Sequence, residues 1–462
     1  MSKFNETFEM SGYWWLPDNP TKTIPGILHY SPNDIHLDLI GSFTDLSQFQ
    51  KQLEYPIILG FTTTGTPVTL YKCFTVRFSM SHPSLPTSSY RALHSFIGMH
   101  FPTEADIKFN RVYAHLTHFD EWMGVSGFSV DLDSMDKNKI SISYSQPPEI
   151  RFELNEKFSI SIWFGYSMNV QSMDEKQQGM IQRIALNIEA KSELQFQEFQ
   201  NILSDIRQFL GLACLNPIYP LEVKGLTQIN EQKVNEQTIQ PTVSIYFLPF
   251  NMPTKIKEIP AMHMLFTYRD IGKDIGNYFK KWIENKSILE PIYNLYSDIL
   301  HHNEMAIEHR FLFLIHALEA YHRRTSDETE VDEENHAIRI SEILTAIPKH
   351  SDWLQIKLQF SNELSLRQRL ESLLNQFPFI LENFDLDNKK FIRSIVDMRN
   401  YITHYSNKAK TQFDDLKKVH EICERLKLLV ESCLLFQLGF DDKKISLLIE
   451  RSKINKGLKR PS

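Results

Sequence analysis

The sequence predicts an α+β chain in two parts: a β-rich, sandwich- or barrel-like domain over residues 1–253, then an all-α domain over 254–462. Three observations predict it. Apolar and polar residues alternate in many short runs up to about residue 170, and again at 184–188 and 243–247. Turn-forming clusters such as Ser31-Pro32-Asn33-Asp34 separate those runs. From about residue 254 the apolar period lengthens to 3.6.

Each element has a local reason. Residues 28–30 and 35–40 alternate on either side of that turn, and 56–61 and 68–76 flank Thr62-Thr63-Thr64-Gly65-Thr66-Pro67. Residues 140–144, 150–154 and 158–166 alternate again. Short strands joined by turns suit an antiparallel sandwich or barrel. One helix is expected near 194–210, because Phe196, Phe199, Leu203, Ile206 and Leu210 share a face. The second part reads as helices at 266–283, 291–300, 305–324, 337–346, 353–375, 388–404 and 414–438. In the last of these Val419, Ile422, Leu426, Leu429, Val430, Cys433 and Leu434 form a stripe. Residues 325–334 read as an acidic, solvated linker, and 453–462 as a basic, frayed tail.

With 462 residues the chain is long enough for two or three domains with real cores. Hydrophobic residues make up 42% and charged residues 23%, as in a globular protein. No run of about 18 apolar residues occurs, so no membrane contact is expected. The opening Met1-Ser2-Lys3-Phe4-Asn5-Glu6 does not read as a signal peptide. Cys73, Cys214, Cys423 and Cys433 form no C-x-x-C pair. That pattern points to a reducing, cytoplasmic setting rather than a disulfide framework or a thiolate zinc site. Net charge is -7, so any nucleic acid must be held by a local basic site.

The stretch that concentrates chemistry is Arg399-Asn400-Tyr401-Ile402-Thr403-His404, at the end of the amphipathic run 388–404. Phe391, Ile392, Ile395, Val396 and Ile402 form its apolar stripe, and at roughly 100° per residue Arg399 falls within it. A guanidinium there needs an anionic or hydrogen-bonding partner. Asn400 and His404 stand four apart and share a second face. Tyr405, Ser406 and Asn407 then break the periodicity. Arg77 with His82 repeats the spacing in β surroundings, and Arg310 with His316 falls on different helix faces, so neither carries the argument.

This segment resembles the Arg-Asn-x-x-x-His signature of HEPN domains, the helical superfamily named for higher eukaryotes and prokaryotes nucleotide-binding proteins. Residues 316–324, His-Ala-Leu-Glu-Ala-Tyr-His-Arg-Arg, resemble the first HEPN helix of ApeA-type phage-defence proteins. The opening Gly12-Tyr13-Trp14-Trp15-Leu16-Pro17 and Pro25-Gly26-Ile27-Leu28 is similar to their β-rich N-terminal domain. The resemblance implies a HEPN bundle over about 303–440. It implies an endoribonuclease effector of anti-phage defence that halts growth. RNA would be cut by attack of its own 2′-hydroxyl, leaving a 2′,3′-cyclic phosphate. His404 would do acid/base work, Arg399 would stabilise phosphate charge, and Asn400 would orient one or the other. Homodimers or higher homo-oligomers would place two such motifs in one cleft. Structured host RNA such as transfer RNA would be the substrate, and a phage-derived trigger would be read by the N-terminal domain. The alternative is a HEPN domain that binds RNA or a partner without cutting. Some HEPN toxins carry a modified Tyr two residues after the His; here Ser406 stands there, so that regulation is not carried over.

Glu319 and His322 stand three apart, toward the edge of the apolar face. They either position Arg399 or His404, or form an ordinary intrahelical pair. No metal or other cofactor is expected. His115-Leu116-Thr117-His118 and His301-His302 lack a carboxylate or Cys set at ligand spacing, and 131–136 lacks the Gly and closing Glu of a calcium loop. There is no P-loop and no G-x-G-x-x-G. Trp14 and Trp15 suit a core or strand-pair role better than a ligand groove.

Overall fold

The computed structural model describes residues 3–43, 53–79, 85–132, 140–169, 179–229, 232–234, 237–240, 242–248, 252–253, 255–302, 304–380, 387–404 and 415–455. Two compact units divide the chain, Met1–Lys280 and Lys281–Ser462.

The first unit is built on one antiparallel sheet. Its strands are β1 (Phe8–Leu16), β2 (Asn19–Ser31), β3 (Asp34–Leu39), β4 (Glu54–Thr62), β5 (Pro67–Ser79), β6 (Thr87–Ile97), β7 (Lys108–Leu116), β10 (Ile150–Glu153), β11 (Phe158–Asn169), β12 (Gly179–Gln195), β13 (Pro220–Leu226) and β16 (Thr242–Phe247). Two side ribbons pair β8 (Phe128–Leu132) with β9 (Ile140–Tyr144), and β14 (Gln232–Val234) with β15 (Gln237–Ile239). The order β6-β3-β2-β1-β4-β5 returns to β6, which closes a six-stranded barrel. Strand β6 bonds β5 along one edge and β3 then β16 along the other, so the barrel runs on into β16-β13-β7-β12-β11-β10. Of the two expected architectures, the barrel is the one that forms. Closure removes the unpaired edges that an open six-stranded sheet would otherwise expose.

Alternation decides what the barrel buries. Trp14, Leu28, Tyr30, Ile35, Leu37 and Leu39 point inward, while Tyr13, Ile27, His29, His36 and Asp38 face out. Gly60 of β4 lies opposite Trp14, whose indole occupies the space any Cβ at Gly60 would need. Trp14 is therefore core, and Trp15 packs beside Phe61 and His100. Helix α1 (Phe119–Met123) is a short addition not read from the sequence. Helix α2 (Phe196–Cys214) buries the expected Phe196, Phe199, Leu203, Ile206 and Leu210. It starts two residues later than expected because β12 runs on to Gln195.

His94 of β6 lies under this helix, 3.2 Å from Gln200 Oε1 and against Phe196 and Phe247. Its Nδ1 is buried with no partner among the described residues. Burial therefore pulls its pKa down to about 4. An unfolded chain takes that proton near pH 6.5, so between about 4 and 6.5 the unfolded state binds more protons and stability falls as pH falls. His94→Phe is expected to remove up to one proton from this slope, about 1.4 kcal/mol per pH unit. Asp120, pushed up to about 6 by burial, acts the opposite way but is present in both proteins. Urea midpoints from pH 4.5 to 7 check this, and parallel curves for parent and variant would refute it.

The division near residue 253 moves to 280/281 for a packing reason. Met264, Leu265 and Phe266 are buried, Leu265 N–H donates to Ala213 O, and Trp122 Nε1–H donates to Phe266 O. The helix expected over 266–283 is two, α3 (Tyr268–Ile271) and α4 (Ile275–Glu284), because Gly272 turns to φ 56° between them.

The second unit is helical: α5 (Lys286–His301), α6 (Ile307–Thr325), α7 (Glu333–Ala346), α8 (Ser351–Leu358), α9 (Leu366–Gln376), α10 (Asn388–His404), α11 (Leu416–Gln437) and α12 (Asp442–Asn455). Helix α5 starts before its proline. Pro291 cannot donate to Ser287 O, and Arg324 Nη1 donates there instead at 2.9 Å. The single helix expected over 353–375 is two, since Ser365 caps α9 in a box with Gln368. Helix α12 was not expected, although Ile445, Leu448, Ile449 and Ser452 are buried at helical spacing. The acidic stretch 325–334 is mostly exposed, as expected, and two backbone bonds tie it down: Glu330 N–H donates to Asn362 O, and Val331 N–H to Asn362 Oδ1. The end of the basic tail lies outside the described residues. No helix among the described residues is long and apolar enough to cross a membrane.

Candidate functional site

Helix α10 spans the expected residues. Phe391, Ile392, Ile395 and Met398 are buried, Val396 and Arg399 are half-buried, and Asn400 is exposed. Arg399 thus sits at the margin of the apolar stripe. The anionic partner its position demands is Glu319 of α6, with Nη2 3.9 Å from Oε1; the side chains are 33% and 21% exposed. At that distance the pair is loose. Arg399 Nη1 also donates to Asn400 Oδ1 at 3.3 Å, and Thr403 Oγ1 donates to Arg399 O at 2.8 Å. A guanidinium has five N–H donors, so most of the fork stays available. His404 closes the helix one turn beyond Asn400; its side chain, like Tyr405, Ser406 and Asn407, lies outside the described residues. A cation at a helix C-terminus also meets the negative end of the helix dipole.

Two family models match this chain. ApeA N-terminal domain 1 matches residues 9–282, and Apea-like HEPN matches 312–444. The chain belongs to the ApeA family. That architecture supports a HEPN-type defence effector in general. No curated protein matches the chain, and no solved structure does.

The ApeA-like HEPN segment runs from α6 to the start of α12 and so contains both partners of the Arg399–Glu319 pair. Glu319 and His322 part company there. Glu319 turns to Arg399. His322 is 1% exposed and belongs to the buried stripe with Phe311, Leu314, Ile315, Leu318 and Tyr321, not to its edge. Arg369 Nη1 of α9 donates to His322 Nδ1 at 3.3 Å, which places the ring proton on Nε2. Nε2 lies 3.3 Å from Glu328 Oε2, close enough for attraction but without hydrogen-bond alignment. Burial first, then the Arg369 charge, hold the imidazole below its ordinary pKa, against the pull of Glu328. His322 is therefore a neutral core group rather than an acid/base.

Arg369 is the residue sequence reasoning missed. It is buried, and it donates to Leu364 O at 3.0 Å and Glu363 Oε2 at 3.4 Å as well as to His322. Burial and neighbouring Arg323 weaken its hold on its proton, while Glu363 and Glu319 restore it. Glu319 is thus felt by two arginines, on α9 and on α10. The one signal available was a basic residue between Leu366 and Leu370 on an amphipathic helix.

Arg310 pairs with Glu424 and His316 faces solvent, while His82 and residues 133–136 lie outside the described residues. His115 Nδ1 bonds Ile184 O. His301 and His302 line a cleft of about 570 Å³ with Asp298, Glu304 and His309, their Nδ1 atoms turned to backbone carbonyls.

Proposed function

We propose that this ApeA-type protein is a metal-independent endoribonuclease that answers phage infection by cutting RNA and arresting growth. The observation that carries the reading is the setting of Arg399: half-buried, loosely held by Glu319, beside exposed Asn400, and on the helix that ends in His404. RNA brings its own nucleophile, the 2′-hydroxyl. The protein must remove that proton, neutralise charge on the phosphate oxygens and protonate the departing 5′-oxygen. His404 serves a proton transfer, since an imidazole titrates at about 6.5. The Arg399 fork swings from Glu319 to the phosphate, where it matches the oxygen geometry. Asn400 orients one or the other. Glu319 is a positioning residue, and His322 supports the fold of α6.

One chain offers one His404, so a second copy supplies the other proton-transfer group. A homo-oligomer is supported by α7 and α8, whose Ile338, Trp353 and Ile356 are exposed beside a groove of about 940 Å³. The β unit reads a phage-derived trigger and the helical unit acts. Structured RNA of the transfer-RNA class is the substrate, and the cytoplasm is the setting that four free, buried thiols suit.

Cleavage is expected to proceed in excess EDTA and to leave 2′,3′-cyclic phosphate and 5′-hydroxyl ends. End-labelling and phosphatase sensitivity of the fragments check this. Activity lost on chelation and restored by magnesium would refute the chemistry.

A further inference from the structure

A second cluster of chemically able side chains lies on the outer face of the barrel, and the motif chemistry makes no use of it. His29 of β2 and His36 of β3 are direct cross-strand partners. Asp38 stands two residues beyond His36, on the same face. The imidazoles stack with centroids 4.6 Å apart and planes 13° apart. Both turn Nε2 to one carboxylate oxygen: Asp38 Oδ2 is 3.5 Å from His29 Nε2 and 3.7 Å from His36 Nε2. All three candidate ligand atoms lie within 4.8 Å of one another.

From this convergence we infer that His29, His36 and Asp38 form a binding site for a divalent first-row transition-metal ion, zinc foremost. Four-coordinate zinc with bonds near 2.0–2.1 Å sets neighbouring ligand atoms about 3.3–3.4 Å apart. The two separations to Asp38 lie within a few tenths of an ångström of that edge; the stacked rings, with planes 13° apart, must tilt toward each other for both Nε2 lone pairs to meet one ion. The outer shell is the stronger argument. A metal-bound imidazole characteristically offers its other nitrogen to a carboxylate. Here His29 Nδ1 bonds Glu9 Oε1 at 3.0 Å, and His36 Nδ1 lies 3.1 Å from Asp34 Oδ2. Asp34 is held in turn by Arg91 Nε, and Asp38 Oδ1 accepts from Ser89 Oγ. His29 is thus oriented by a carboxylate at Nδ1, while Asp34 stands close to His36 Nδ1 without hydrogen-bond alignment, and both rings share Asp38 at Nε2.

Charge points the same way. Among the described residues Glu9, Asp34 and Asp38 carry three negative charges against Arg91 and, on the cleft wall, Arg77, so a cation meets a net acidic cluster. Two imidazoles select zinc, nickel or copper over magnesium and calcium, which prefer all-oxygen sets. His29 and Asp38 also line a cleft of about 600 Å³ with Arg77 on its wall, which leaves room for a fourth ligand. An unmetallated ladder of cross-strand ion pairs would need the same residues but would not bind zinc stoichiometrically.

The test uses the full chain, stripped of metal and titrated with zinc chloride by calorimetry, with cobalt absorption as a second probe. One zinc per chain is expected, with a rise in unfolding temperature on loading. His29→Ala/His36→Ala should lose this binding while melting like the metal-free parent. Asp38→Asn, which keeps size and strand, should bind at least about 10-fold more weakly, and so should Glu9→Gln. No stoichiometric zinc in the parent overturns the proposal. So does a double variant that titrates like the parent, or, should that variant fail to fold, unweakened binding by Asp38→Asn. RNA cleavage is not the readout, so failure here leaves the motif reading intact.

Discussion

If the proposed nuclease site is correct, His404→Ala and Arg399→Ala are each expected to lower RNA cleavage by at least about 100-fold and to abolish growth arrest. The magnitude follows from the roles. A positioned general acid or base contributes about 10²–10⁴ in rate, and loss of one donor aimed at developing anionic charge costs about 10²–10³. Arg399→Lys recovers little, because an ammonium cannot present two parallel donors to a phosphate. Glu319→Gln has a smaller effect, since it loosens the rest position of Arg399 without removing the fork. Stability separates the roles from folding. Arg399 is 33% exposed and loosely paired, so its loss changes stability by less than about 1 kcal/mol. The assay is cleavage of end-labelled RNA by purified full chain, beside colony counts of expressing cells. If both alanine variants cleave within a few-fold of the parent, the motif is no nuclease site, and an RNA- or partner-binding HEPN domain becomes the reading.

How much of this was legible depends on the range over which each contact is made. Helix α10 was readable to the residue, because its stripe and its stop signal are local. The helical face of α2 was readable for the same reason. Strand β7 alternates over Val112, Ala114 and Leu116, but Asn110 and Arg111 both stand between Val112 and the buried Phe109, and that break in the period weakened the signal. Strand β6 was missed because Ser88 and His94 are buried on one of its faces and Ser95 on the other, so neither face reads as apolar. Barrel closure depends on β6 pairing with both β3 and β5, which no local pattern encodes. The two helices within 353–375 were legible in principle: Ser365-Leu366-Arg367-Gln368 is a capping box. At the motif, the sequence demanded a partner for Arg399 but could not choose Glu319 over other acids, since the choice is made by packing between helices. His29, His36 and Asp38 look unrelated until strand register sets them side by side.

Arg369→Ala is expected to destabilise the helical unit by about 3 kcal/mol, lowering its unfolding temperature by about 10 °C. Three acceptors lose their donor at once. Leu364 O loses the Nε–H, His322 Nδ1 loses the Nη1–H, and Glu363 loses part of its ion pair. His322 and Arg369 are both buried, so the imidazole nitrogen is left without water to replace the bond. Glu363 is 38% exposed and regains water, so its share of the loss is small. Arg369→Lys restores little, because one ammonium cannot reach three acceptors set around a planar fork. A second readout separates this from simple loss of volume. The Arg369 charge is one of the two influences that hold His322 below its ordinary pKa. With Arg369 gone and Glu328 still present, the imidazole titrates higher, and NMR titration of His322 in the folded full chain follows it. A melting change equivalent to less than about 0.5 kcal/mol, or a His322 titration unmoved by the substitution, would mean that the buried guanidinium does not hold α9 to α6, and that apolar packing alone fixes the helix carrying Glu319.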